Sequence, residues 1–117
     1  MLTSINHIGI AVKDLEASKA RYSSLFGVEK FHEETVETQK VQIASFSLNG
    51  ILIELTAAIS DDSPIANFIN KRGEGIHHIA FTSDSISDDL SKAKENGIKL
   101  INEYPVPGAH DMHIAFL

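Results

Sequence analysis

Two stretches of this chain open alike, and that repetition constrains the fold more than any other feature. One reads Asn6-His7-Ile8-Gly9-Ile10-Ala11-Val12 and the other His77-His78-Ile79-Ala80-Phe81-Thr82-Ser83. Each alternates with period two, as a half-buried strand does. Each runs into a helical stretch that closes on glycine. The first starts near Asp14, a good N-cap, carries Leu15, Tyr22 and Leu25 on one stripe, and stops at Gly27. The second starts near Ser87, carries Leu90 and Ala93, and stops at Gly97. Strand, helix and closing glycine at near-constant spacing predict a duplicated unit.

After its helix the first unit offers three strands, Phe31 to Val36, Val41 to Leu48 and Ile51 to Thr56. Asn49-Gly50 between the last two is the favoured pair for a two-residue type I′ hairpin. The second unit offers only two, around Ile98 to Glu103 and Met112 to Leu117, so it is expected to lack its final strand. The sequence therefore reads as a C-terminally truncated portion of a longer protein. Between the units, Ser63 as N-cap and Pro64 at the first helical position start a short helix with Ile65, Phe68 and Ile69 on one stripe and Gly73 at its end. The expectation is one α+β domain over 1–117: module one about 1–59, a linker helix about 60–73, and module two about 74–117.

Composition narrows the function classes. At 117 residues and 43% hydrophobic content the chain can bury a real core. Ten basic against sixteen acidic residues leave a formal charge of −6, an unfavourable field for nucleic acid or an anionic membrane. An anionic small molecule needs only a local cluster of Lys and Arg. With no Cys, disulfide and thiolate chemistry are excluded. The N-terminus shows neither a basic n-region nor an unbroken apolar run, and Ile51-Leu52-Ile53 stops at Glu54, so a cytoplasmic location is expected.

Strand parity carries the functional argument. His7 shares a face with Gly9 and Ala11, and His78 shares one with Ala80 and Thr82. Two histidines thus hold matching positions of the repeat, each beside small neighbours. The two-residue turn sets Leu48 opposite Ile51, Phe46 opposite Ile53 and Ser45 opposite Glu54. Glu54 stands in an apolar strand, where a carboxylate is costly to bury without a partner. Two imidazoles and one carboxylate make a set for a divalent metal with open positions for water or substrate.

Blander readings compete. A strand histidine alone is more often structural than a ligand, and an isolated strand Glu is more often an edge charge. His77, of opposite parity, reads as structural, and His32 and His113 have no support as ligands. His110, in the loop after Pro107-Gly108, is a candidate contact to a ligand. Lys71 and Arg72 are candidate contacts to an anionic cofactor tail, although a solvated helix end favourable to the dipole is the better account of them. There is no phosphate loop, dinucleotide fingerprint or nucleophile elbow.

The openings His7-Ile8-Gly9-Ile10-Ala11-Val12 and His77-His78-Ile79-Ala80-Phe81 resemble the paired metal-histidine strands of the vicinal-oxygen-chelate (glyoxalase-like) superfamily, which implies two βαβββ modules around a metal-lined cleft. The segment Asp62-Ser63-Pro64-Ile65-Ala66, Phe68-Ile69 and Lys71 through Ala80 is similar to that of methylmalonyl-CoA epimerases, as are Pro107-Gly108-Ala109-His110 and Ile114-Ala115-Phe116-Leu117. That resemblance implies His7, Glu54 and His78 as ligands of a divalent metal ion (Co, Zn, Ni or Mn). It further implies a remaining Glu, beyond Leu117, as ligand and catalytic base. An acyl-CoA thioester substrate and a homodimer follow from the same source. The implied reaction is proton transfer at C2 through a stabilised enolate. The chain departs from the pattern near Ile43, or at Gln42 with the register shifted by one, where some epimerases carry a second acid and this chain has none. The alternatives are a glyoxalase I-like lactoylglutathione lyase and a non-catalytic small-molecule binding or resistance protein of the same fold.

Overall fold

The structure, a computed structural model, describes residues 1–117. The chain divides into two compact units, Ile5–Ala80 and a second formed by Met1–Ser4 with Phe81–Leu117. In chain order the elements are β1 (Leu2–Ala11), α1 (Leu15–Phe26), β2 (His32–Val36), β3 (Val41–Leu48), β4 (Ile51–Ala58), α2 (Pro64–Arg72), β5 (Gly75–Ser83), α3 (Ile86–Glu95), β6 (Val106–Pro107) and β7 (His113–Ile114). No helix is long and apolar enough to cross a membrane.

The first unit holds the five-stranded sheet, in the order β2-β3-β4-β1-β5. β1 and β4 run parallel, and β2, β3 and β4 form an antiparallel meander. The hairpin register is the one that a two-residue turn demands: Leu48 opposes Ile51, and Ser45 opposes Glu54. Asn49 and Gly50 both adopt positive φ, 52° and 88°, which only Gly and a few polar residues tolerate without strain.

Alternation sorts the faces of this sheet. Val12, Ala44, Leu55 and Ala57 turn one way and are buried with Leu15 of α1, while Ile10, Tyr22, Phe31 and Ile53 pack around them. The start of α1 is held by Asp14, whose carboxylate accepts from the Ala17 amide. Its end is set by Gly27 at φ 68°, whose N–H reaches the Ser23 carbonyl. α2 begins as the sequence predicts, with the Ser63 hydroxyl accepting from Ile65 N and Pro64 in the first turn.

The second unit is built differently. α3 starts one residue earlier than expected, at Ile86 after Ser85, and Ser85 makes no side-chain cap; Gly97 closes it at φ 76°. The strand expected over Ile98 to Glu103 does not form, and the one expected over Met112 to Leu117 shrinks to His113–Ile114. β6 and β7 pair only with each other, Val106 with Ile114 and Pro107 with His113. A strand needs a ladder: β2 has β3 and β3 has β4 to pair against, whereas in this unit no counterpart of β4 lies beside these segments. Isolated bonds remain, from the Ile101 and Asn102 amides to the Phe116 carbonyl. The first module is thus a full βαβββ unit, and the second keeps its opening strand, its helix and a minimal hairpin.

Candidate functional site

The sheet face opposite α1 carries the polar residues. Register places His32, Ser45, Glu54 and Gly9 in one row across β2, β3, β4 and β1. Glu34, Ile43, Thr56 and Ala11 form the next row, and Ser47, Leu52 and His7 the one before. Side chains in register share a face, so His7, Glu54, His32 and Glu34 all project to the same side. Glu33, of opposite parity, confirms the assignment, because it ion-pairs at 2.9 Å with Lys19 on α1.

His7 and His78 meet across this face. Their Nε2 atoms lie 3.0 Å apart, with the rings edge to face. The approach depends on Gly9: a Cβ there would stand 2.1 Å from His78 Cε1, inside the ring's own volume. The small residue beside the histidine is therefore the space that the second imidazole fills. Glu54 completes the group, its Oε2 being 3.4 Å from His7 Nδ1.

One set of neutral tautomers satisfies the chain of contacts. Asn6 Oδ1 accepts from His7 Nδ1 at 2.8 Å, which leaves His7 Nε2 as acceptor. His78 Nε2 then donates to it, and His78 Nδ1 accepts in turn from His77 Nδ1 at 2.9 Å. Two ring nitrogens here share one proton across a gap of 3.0 Å. Two metal–nitrogen bonds of about 2.0–2.1 Å at tetrahedral or octahedral angles would hold their nitrogens about 2.9–3.4 Å apart. The spacing of the two Nε2 atoms therefore fits a divalent cation in place of that proton, while Glu54 stands on the Nδ1 side of the His7 ring.

Electrostatics follow burial. Glu54 is only 2% exposed, and its desolvation pushes its carboxyl up to about 7; the Glu34 charge adds to the rise and His32 opposes it. Burial holds His78 down to about 4, helped by the neighbouring His7 and His77. His77 is lowered by burial too, with its ring against Phe68 at 5.0 Å. Cation loading would reverse the logic at Glu54, since a positive charge favours the carboxylate.

The other candidates stand on other elements. Lys71 and Arg72 form the exposed last turn of α2, where Arg72 lies over the Phe68 ring at 5.9 Å. His110 sits in a short 3-10 turn of the second unit at φ 57°, and His113 is exposed in β7. What the sequence analysis missed is the outer pair, His32 and Glu34, whose Nε2 and Oε1 are 3.3 Å apart. Their register rests on a 3-10 turn over Glu37–Gln39 followed by Lys40 at φ 55°, a connection with no tight-turn signature to read. Ser45 was seen only as the partner of Glu54; it is 1% exposed, and its hydroxyl makes no hydrogen bond.

Comparison with known proteins agrees with this fold. An uncharacterised protein of Bacillus subtilis, YqjC, is 36% identical over 116 residues, covering 99% of this chain and 83% of its own length. An ethylmalonyl-CoA/methylmalonyl-CoA epimerase of Cereibacter sphaeroides is 34% identical over 119 residues, spanning 100% of this chain and 89% of the relative. A solved methylmalonyl-CoA epimerase in complex with methylmalonyl-CoA superimposes with a TM-score of 0.93 at 32% identity, over 98% of this chain and 84% of that one. The family model for the Glyoxalase/Bleomycin resistance protein/Dioxygenase superfamily matches residues 6–116. With a βαβββ module, a repeated histidine strand and a match over nearly its whole length, the chain belongs to that superfamily.

Proposed function

We propose that the chain is a divalent-metal-dependent epimerase acting at C2 of methylmalonyl-CoA. One observation supports the reading: His7 and His78, far apart along the chain, bring their Nε2 atoms to 3.0 Å, with Glu54 on the same sheet face 3.4 Å from His7 Nδ1. The named epimerases among its relatives support the substrate class. In this reading His7 and His78 hold the cation through their Nε2 atoms and Glu54 through a carboxylate oxygen. A cation so held supplies Lewis-acid charge for the negative charge that develops on the substrate's thioester oxygen.

The surrounding residues have definable tasks. Asn6 fixes the His7 tautomer that leaves its Nε2 lone pair for a ligand; His78 would offer its Nε2 lone pair once its proton sits on Nδ1, with His77 Nδ1 then the acceptor. Gly9 keeps clear the space that His78 crosses. Ile43, in the row next to Glu54, puts no acid on β3, so proton transfer must draw on other groups. Lys71, Arg72 and His110 stay in the proposal as contacts to the acyl-CoA tail. A homodimer stays in it on the resemblance alone, and a single domain over 1–117 and a cytoplasmic location stay in it as expectations from the sequence.

Metal analysis joined to an epimerase assay tests the reading. The purified protein should hold close to one divalent cation per chain and interconvert the two epimers of methylmalonyl-CoA. His7→Ala and His78→Ala should lose cation and turnover together, by more than about 100-fold in affinity, since loss of an outer-shell partner alone costs about 10–100-fold. Undiminished turnover after complete chelation would overturn the proposal. Turnover of a glutathione hemithioacetal in place of the malonyl thioester would move the assignment to the lyase alternative.

A further inference from the structure

A carboxylate that ligates a cation through one oxygen leaves the other to hydrogen-bond donors, and those donors decide how the ligating oxygen is aimed. A Glu54 that serves in this way needs such a donor on its own sheet face. Alternation limits the choice. On that face β3 presents Val41, Ile43, Ser45 and Ser47, and β4 presents Leu52, Glu54 and Thr56. The Thr56 hydroxyl is already given to the Glu54 carbonyl at 3.3 Å, and Ser47 is exposed. His7 gives its Nδ1 proton to Asn6 at 2.8 Å. Ser45 is the hydroxyl that remains, and register puts it directly opposite Glu54.

Ser45 is otherwise a costly residue at its position. It is 1% exposed, and its Oγ is shut from water with no hydrogen-bond partner. A hydroxyl buried in that state costs the fold more than the methyl of an alanine would. Native structures keep few such groups, and each has a cause. The neighbour on its other side, His32, is 56% exposed and meets Glu34 at 3.3 Å. The buried acceptor in the row is Glu54, itself 2% exposed. Directly opposed residues of an antiparallel pair hold their Cβ atoms about 4.5–5.5 Å apart, a gap that a hydroxyl on one side and a carboxylate on the other can close. Re-aiming the hydroxyl takes only a rotation about the Ser45 Cα–Cβ bond between staggered wells.

We propose that Ser45 is a positioning residue for Glu54, its hydroxyl donating to the carboxylate oxygen left over when the other oxygen ligates the cation. The inference rests on the metal-dependent reading above and adds to it a partner for the carboxylate. An ionised carboxylate is a stronger acceptor than a neutral group, so the bond belongs to the loaded protein, in which a cation holds the negative charge in place. Ser45 touches neither cation nor substrate and acts only through Glu54. Its loss should therefore register in the loaded protein and not in the cation-free one.

Cation affinity and stability, measured on the purified protein with Co2+ as the probe, test this. Ser45→Ala should weaken Co2+ binding about 10-fold or more, the range for loss of an outer-shell partner, and should change the visible absorption of the bound ion. The urea midpoint of the cation-free variant should stay level or rise, because the hydroxyl has no partner there to lose. A merely structural serine would lower both. Ser45→Thr and Ser45→Val, near-equal in shape and differing in the hydroxyl, guard against a packing artefact: Thr should bind Co2+ more tightly than Val, and Val should fall with Ala. Unchanged affinity and absorption in Ser45→Ala would overturn the inference, as would a Val variant that binds as tightly as Thr, or a cation-free midpoint lowered as far as the loaded one. If the unmodified protein binds no divalent cation, the metal-dependent reading itself falls and takes the inference with it, a result distinct from the others.

Discussion

The two copies of the repeat share an opening strand and a helix, yet they hold themselves together unequally. In the first unit Ala11, Val12, Leu15, Val36, Val41, Ile43, Ala44, Phe46, Leu55, Ala57 and Ile65 are buried. The second unit buries Leu90 and Ala93, while Ile98, Ile101, Tyr104, Met112 and Leu117 stay largely exposed. The apolar residues are present in both. What differs is the ladder: β4 ties β3 to β1 in the first unit, and nothing plays that part for the residues between α3 and β7. Apolar alternation becomes a strand only where a neighbour accepts its hydrogen bonds, and a core forms only behind a sheet so made.

The contrast can be broken or sharpened experimentally. The largest effect should come from Leu55→Ala, which removes a side chain with no exposed surface and should cost about 2–5 kcal/mol. Ile101→Ala, at a residue 67% exposed, should stay within about 0.5 kcal/mol. Urea midpoints for the two variants decide, and equal shifts would erase the distinction.

The next effect concerns pH in the cation-free protein. The folded-state value of Glu54 is raised from 4.5 to about 7, so its contribution to stability is full below about 4.5 and is lost as pH rises through 7. At 1.36 kcal/mol per unit, the loss is about 3 kcal/mol at most. His78, lowered from 6.5 to about 4, works in the opposite sense: its contribution is present above 6.5 and lost as pH falls towards 4. Denaturation of Glu54→Gln should therefore show stability rising with pH from 4 to 6.5 and then level. A fall between pH 4.5 and 7 in that variant would mean that another group is responsible.

Smaller effects separate glycines and caps. Gly9→Ala must move the His78 ring, costing about 1–3 kcal/mol as overpacking and weakening cation affinity. Gly97→Ala meets no atom within 4 Å and should cost only the left-handed backbone strain of about 1–2 kcal/mol, leaving cation affinity as it was. Calorimetry with and without cation distinguishes them. Smallest is the capping difference. Asp14→Ala loses a bond to Ala17 N and about 1 kcal/mol, whereas Ser85→Ala loses no cap. Matching thermal shifts for both would show that α1 and α3 begin by the same means.

Local signals were legible wherever the chain solves its own problem within a few residues. Asp14 and Gly27 bound α1, Ser63-Pro64 starts α2, and Asn49-Gly50 sets the hairpin, so the Ser45–Glu54 pairing was readable before any fold was known. The matching parity of His7 and His78 was readable for the same reason. Ile98 to Glu103 misled because its apolar residues describe a strand that finds no partner. His32 and Glu34 were invisible because the turn from β2 to β3, through Lys40 at φ 55°, carries no residue that announces its register.

Periodicity, turn chemistry and capping are properties of neighbouring residues, and by themselves they determined the elements of the first unit and the faces on which His7 and His78 stand. Only tertiary structure decided that β1 lies beside β4, which sets Gly9 against Glu54 and opens the space for His78. The physical reason is that lateral order in a sheet, and the gap left by a missing side chain, depend on strands dozens of residues apart, whose pairing no local pattern encodes.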